Sequence, residues 1–199
     1  MTNVWGGRAS GAPSRTAIQE QQVMDHNRAE RTSLRRHAAP YSPSPGELRT
    51  RAFHLPYYLI ELAAIAGRTV SEEEVGSLED AQRMRRCLLH PPRQEHMACN
   101  IPFDERLHSR FARFIGRLYE VESSPVYVWT ENTYRCGTFQ LPSLLDIHAG
   151  FAFDATANLY SLSTPDFRNT LFLVPEWVRG RGERLECITR GERWASIRY

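Results

Sequence analysis

Residues 123–141 read SSPVYVWTENTYRCGTFQL, and the change of period inside this stretch decides the fold class. A helical pattern ends at Ser123-Ser124-Pro125. From Val126 onward the residues are β-branched and aromatic, so Val126–Thr130 and Tyr134–Leu141 read as two strands joined by a polar turn at Glu131-Asn132. Toward the C-terminus the same texture continues. Phe151–Phe153, Leu159–Ser163, Thr170–Val174, Arg184–Thr189 and Trp194–Tyr199 are strand candidates. The turns between them lie at Asp154 to Asn158, Thr164-Pro165-Asp166, Gly180 to Gly182 and Gly191. Strands that follow strands without intervening helices predict an antiparallel meander rather than a parallel βαβ sheet.

Toward the N-terminus the period is helical. Phe53, Tyr57, Ile60 and Ala64 fall at helical spacing until Gly67 stops the run. Ser71-Glu-Glu-Glu74 has the form of a capping box and predicts a helix reaching Leu89, ended by Pro91-Pro92. A third helix is predicted from about Asp104. Its apolar face is Leu107, Phe111, Phe114, Ile115 and Leu118, and Arg106, Arg110, Arg113 and Arg117 decorate its other faces. Such an arginine row reads as a solvated helix face. Residues 1–48 are punctuated by glycine and proline and poor in large apolar residues, so they read as a disordered or weakly helical tail, with a short helix between Thr16 and His37 as the helical option. That tail stands as a leader, an export signal, or an extension upstream of a shorter frame opening at Met24. The expected fold is therefore α+β: a tail, then one domain over 49–199, with helices over 52–122 packed on a sheet over 125–199.

Composition narrows the class. With 41% hydrophobic and 24% charged residues, the 199-residue chain can bury an ordinary core. The longest apolar run, Leu55 to Ala66, is broken by Pro56 and Glu61 and is shorter than the roughly 20 apolar residues a membrane-spanning helix needs. No secretory signal is legible, and the four cysteines are sparse for a disulfide scaffold. A soluble protein of the cytoplasm with reduced thiols is expected. All 25 basic residues are arginine; there is no lysine. A GC-rich genome accounts for this, and so does selection against amines that acylation or ubiquitin-type tagging would modify. Residues 1–50 hold seven arginines against four acids, +3, and residues 51–199 hold 18 against 19, −1. A near-neutral body lacks the basic footprint of a nucleic-acid binder.

Few residue constellations carry chemistry. Cys87, His90, His96 and Cys99 are all zinc-ligand types, but the five residues joining the two pairs include two prolines and are tighter than finger spacings. No metal or cofactor is expected. Asp146-Ile-His148 puts a carboxylate and an imidazole on one side of a short extended segment, a pair able to orient a general base, although no nucleophile stands near it. No Walker loop, dinucleotide fingerprint, nucleophile elbow or two-histidine zinc-protease motif is present, which leans the reading toward binding rather than catalysis.

Two resemblances are carried by quotable residues. Tyr134-Arg135-Cys136-Gly137-Thr138 is similar to the first-strand arginine motif of bacterial ADP-ribosyltransferase toxins, and Ser161-Leu-Ser163-Thr164 to their Ser-Thr-Ser strand. However, Glu183-Arg-Leu-Glu186 lacks the Glu-x-Glu spacing and only 64 residues follow Arg135. Over residues 126–199 the chain resembles the C-terminal sheet of bacterial toxin-immunity proteins of polymorphic or contact-dependent systems. The residues that carry this are Trp129 to Gly137, Phe151-Ala-Phe-Asp154, Leu159 to Ser163 with Asp166, Leu171-Phe-Leu173, Leu185-Glu186 and Gly191-Glu-Arg-Trp194. Val174-Pro175 stand where that sheet leads one to expect an acid. The resemblance implies a non-catalytic protein that neutralises a cognate toxin by occupying it. Acids at Glu72 and Glu73 would face a basic toxin, and Glu131, Asn132, Tyr134 and Arg135 would form a second contact. No nucleic-acid or membrane partner is implied. A secreted effector or toxin-like enzyme, and an accessory protein of another partner, remain the alternative classes.

Overall fold

The computed structural model describes residues 41–89, 95–151, 159–180 and 182–199. The chain divides into two units, Met1–Tyr41 and Ser42–Tyr199, and every element named here belongs to the second. The helical option between Thr16 and His37 lies outside the described residues.

The class is α+β. Helix α1, Pro45–Ala66, begins inside the segment expected as tail. Ser44-Pro-Gly-Glu47 is itself a capping box: the Ser44 N–H donates to Glu47 Oε2 at 2.8 Å and the Glu47 N–H to Ser44 Oγ at 3.2 Å. Pro45 therefore marks a helix start, where its missing N–H costs nothing, and not a tail. Gly67 ends the helix at φ 64°, as its sequence position predicts. Pro56 and Ala52, whose carbonyl the proline leaves without its helical donor, are both exposed positions. Ser71 to Glu74 form only one 3₁₀ turn, Glu72–Glu74, and helix α2 starts later, at Leu78–Leu89. Its cap is Ser77, whose Oγ accepts from the Asp80 N–H at 3.0 Å. Phe103–Leu107 is a 3₁₀ turn, and α3 runs Ser109–Val121. Phe111, Phe114, Ile115 and Leu118 are buried as the periodicity predicts, but Leu107 is exposed on the preceding turn. Arg106 also leaves the row: its guanidinium lies 3.7 Å from the Phe103 ring centroid and donates to the Phe103 and Phe151 carbonyls.

The six strands among the described residues form one sheet: β1 His96–Pro102, β2 Val126–Trp129, β3 Phe139–Leu141, β4 Tyr160–Ser163, β5 Thr170–Val178 and β6 Gly182–Arg190. Their order is β1-β6-β5-β4-β2-β3, with every neighbouring pair antiparallel. This departs from a simple meander at two points. β4 pairs with β2, so β3 is left at the edge, and β1, which comes from between the helices, closes the other edge. β1 offers few β-branched residues and becomes a strand through seven paired residues on β6. Tyr134–Cys136, expected as strand, belongs instead to a helical turn, α4, Thr133–Cys136. Trp194–Tyr199 pairs with no strand: the Ala195 N–H bonds Gly191 O at 3.0 Å and the Ile197 N–H bonds Trp194 O at 3.1 Å, a run of local turns. Phe151 is buried outside any strand, and the rest of the candidate Phe151–Phe153 lies outside the described residues.

One face of the sheet carries the core. Val126, Val128, Phe139, Leu141, Leu162, Leu171, Leu173 and Leu185 pack against Leu55, Tyr58, Leu62 and Ile65 of α1 and the apolar face of α3. Each fully buried Leu or Phe contributes about 1.5–3 kcal/mol relative to exposure. No helix among the described residues is long and apolar enough to cross a membrane.

Candidate functional site

β2 and β3 pair antiparallel, but the chain between them, expected as a polar turn at Glu131-Asn132 with strand resuming at Tyr134, is held against α1. Thr130 Oγ1 donates to Glu61 Oε2 at 2.8 Å, and Asn132 Nδ2 donates to the same oxygen at 3.3 Å. The Thr130 N–H bonds Thr133 Oγ1 at 2.9 Å, and the Asn132 N–H bonds Thr130 Oγ1 at 3.1 Å. These side-chain bonds to the backbone divert the chain from an extended path into a helical turn. From α1 the buried Tyr58 hydroxyl donates to Gly137 O at 3.1 Å and lies 3.2 Å from Thr133 Oγ1. Burial holds its phenol far above the usual range, so it stays a neutral donor. Asn132 is thereby committed to the fold, while Glu131 is exposed at the start of the turn.

Tyr134 and Arg135 face outward from this turn. Two guanidiniums lie near the Tyr134 ring, Arg85 at 5.3 Å and Arg135 at 5.0 Å from its centroid. Tyr134 and Arg135, with Glu47, Thr50, Leu78 and Gln82, line a cleft of about 220 Å³ between α1, α2 and α4. That is below the ~300–1,000 Å³ of small-molecule pockets, and suits the seat of a single side chain. Glu72 joins the same neighbourhood, since Arg51 of α1 pairs with it at 3.5 Å. Glu73 is exposed, its carboxyl held below the usual range by the Ser71 hydroxyl and its own backbone N–H. Glu74 is held low by its hydrogen bonds with Arg68, 2.6 Å at the shorter. Glu72 and the Tyr134–Arg135 turn, far apart in sequence, thus both border α1.

What sequence periodicity did not reveal is the neighbouring face of that helix. Phe53, Tyr57 and Ile60 are 67%, 62% and 70% exposed, while the row one step round, Leu55, Tyr58, Leu62 and Ile65, enters the core. Helical spacing adds both rows to one apolar run and cannot say which is buried. The exposed row lies on the same helix as Glu47 and Thr50 of the cleft, and its Phe53 ring contacts the rings of His54 and Tyr57.

The other candidates come apart in space. His96 and Cys99 stand three residues apart on β1 and so project to opposite faces of the sheet. His90 and the Cys87 side chain lie outside the described residues, and among the described residues no three His, Cys, Asp or Glu side chains could hold one metal ion. Asp146 ends a 3₁₀ turn, Leu144–Asp146, instead of an extended segment. His148 is a helix cap: its N–H bonds Ile65 O at 2.7 Å, and Nδ1 lies 3.3 Å from Ala64 O. Arg135 sits on a helical turn, not on the strand that the ADP-ribosyltransferase comparison requires.

The thiols also differ. Cys136 is buried, and burial pushes it up to about 11. Cys99 and Cys187 face each other across β1 and β6. A hydrogen bond from Cys187 and the nearby Arg110 guanidinium lower the half-buried Cys99, while the same hydrogen bond and burial raise Cys187. Iodoacetamide at pH 8 is expected to alkylate Cys99 ahead of Cys136 and Cys187 in the native protein. Peptide mapping checks this, and modification of Cys136 before Cys99 would contradict the arrangement.

No family model, no curated protein and no solved structure matches the chain.

Proposed function

We propose that the protein is a non-catalytic binding protein that neutralises a cognate bacterial toxin by direct contact through α1 and the cleft beside it. The observation that carries this reading is the exposed row Phe53, Tyr57 and Ile60 on α1, the helix whose Glu47 and Thr50 line a cleft with Tyr134 and Arg135. Aromatic residues and arginine dominate the energetic centres of protein interfaces, and a contiguous exposed apolar surface marks a contact site. Glu72, Glu73 and Glu131 supply acids around it, complementary to a basic partner, and Asn132 holds the turn in place. The likeness of residues 126–199 to immunity proteins supplies the partner class. On this reading the protein works in the cytoplasm, where its thiols stay reduced.

Co-expression of the full chain with the product of each neighbouring gene, scored by growth, tests it. Protection from a toxic neighbour is the expected result. Failure to protect against any neighbour, or growth arrest caused by this chain alone, overturns the reading, and arrest would move the protein to the effector class. Where protection is found, Tyr57→Ala with Tyr134→Ala is expected to weaken toxin affinity by at least ~10-fold. An unchanged affinity would remove α1 and its cleft from the interface.

A further inference from the structure

At the sheet edge farthest from β3 lies a second surface, whose chemistry is independent of the toxin-binding reading. β1 is the outermost strand there. The Gly191 N–H donates to Glu95 O at 3.1 Å, in the register that pairs His96 with Arg190. Alternation along an antiparallel ladder then directs the backbone groups of Met97, Cys99 and Ile101 at β6, and those of His96, Ala98 and Asn100 away from it. Among the described residues no strand meets that outward side. Its far end is blunted, because Arg184 Nη2 donates to Asn100 O at 2.7 Å and Pro102 has no N–H. Among the described residues the edge from His96 to the Asn100 N–H meets no further strand, and it carries no lysine and no inward charge to discourage pairing.

The ground beside this edge is positively charged. A groove of about 580 Å³ runs along Met97 to Pro102, with Arg110, Arg198 and Tyr199 on its opposite side. A second, of about 620 Å³, shares Arg110 and Tyr199 and adds Arg113 and Arg117. The Arg110 guanidinium lies 4.7 Å from the Tyr199 ring centroid, and Arg117 donates to the Arg198 carbonyl. Among the described residues none of these four arginines is in an ion pair, and the carboxylates lining the two grooves are Glu105 and Glu120.

We propose that β1 is a docking edge for an extended acidic peptide segment of a partner protein, which adds to the sheet as a further strand. Main-chain hydrogen bonds to Ala98 and Asn100 would give affinity, as in other cases of strand addition. Alternate side chains of the incoming strand fall on the groove side of the sheet, and carboxylates there meet the unpaired guanidiniums. A second copy of this chain is disfavoured as occupant, because pairing two β1 edges would gather both sets of arginines around one junction.

The test uses the purified full chain and a fluorescent peptide of about ten residues alternating Val and Glu, read by anisotropy. Saturable binding that weakens with added salt is expected. Ala98→Pro deletes an N–H that β6 does not use, and is expected to weaken binding by at least ~10-fold while leaving the melting transition cooperative. Arg110→Glu with Arg198→Glu, both on exposed side chains, is expected to do the same, and a Val–Lys peptide should not bind. The proposal is overturned if the wild-type chain does not bind the acidic peptide or if Ala98→Pro leaves Kd unchanged. It also falls if the lysine peptide binds equally well, or if light scattering shows a dimer that Ala98→Pro dissolves. Peptide binding is read on the isolated chain and toxin protection in growing cells, so the two readings fail separately.

Discussion

Trp194→Ala lowers the stability of the protein by about 3–5 kcal/mol, a large part of the ~5–15 kcal/mol that holds an ordinary domain folded. Trp194 is among the largest fully buried side chains, at 0% exposure. Its indole Nε1 donates to Leu118 O at 3.1 Å, on the last turn of α3, and its own N–H lies 3.3 Å from Asn169 Oδ1. The residue thereby joins three parts of the chain: the C-terminal turns, the end of α3 and the β4–β5 connection. Truncation removes its buried area, leaves a cavity that the sheet and α3 cannot close, and frees one acceptor at a helix end. Trp194→Phe keeps most of the area and loses the hydrogen bond, so it should cost less, about 1–3 kcal/mol. Urea unfolding followed by circular dichroism separates the two. A loss below about 1 kcal/mol for Trp194→Ala would mean that the C-terminal turns are not docked in this way.

The second large effect is expected at Gly137. Its φ of 128° with ψ of 177° is a backbone conformation open essentially to glycine alone. A Cβ there would fall well inside van der Waals contact distance of the Gly76 carbonyl oxygen. Two chain segments cross at this point, and the Gly76 N–H bonds Thr138 O at 2.7 Å. Gly137→Ala therefore combines backbone strain of about 1–3 kcal/mol with an overpacking cost of similar size, and about 3 kcal/mol in total is expected. Because Gly137 O also accepts from Tyr58, the substitution should be less than additive with Tyr58→Phe. A double-mutant cycle in urea measures that coupling, and strict additivity would show that the crossing and the Tyr58 bond are independent.

The candidate site shows where sequence reading stops. Ser44-Pro-Gly-Glu47 carries the same capping signature as Ser71-Glu-Glu-Glu74, yet the first opens a 22-residue helix and the second a single 3₁₀ turn. A cap satisfies orphan N–H groups at a helix start, but whether the helix continues depends on the surface it can bury, and Gly76 sits where the chain must pass Thr138. Tyr134 and Arg135 are contact candidates by residue type. Their position beside α1 is not legible in the sequence, because it depends on Glu61 and Tyr58, about 70 residues away in sequence, bonding the turn that presents them.

By itself the sequence determined the α+β class, the end of α1 at Gly67, the buried face of α3 and the antiparallel character of the C-terminal sheet. Each is written in short-range periodicity and turn chemistry, which act over a few residues. Tertiary structure alone decided three other matters: that the Phe53, Tyr57 and Ile60 row faces outward, that His96–Pro102 becomes a strand, and that β4 returns to β2 and leaves β3 at the edge. Each of these depends on a partner distant in the chain. An apolar helix with two usable faces buries the one that fits the sheet, and a segment of weak strand propensity becomes a strand when a ladder on β6 satisfies its backbone.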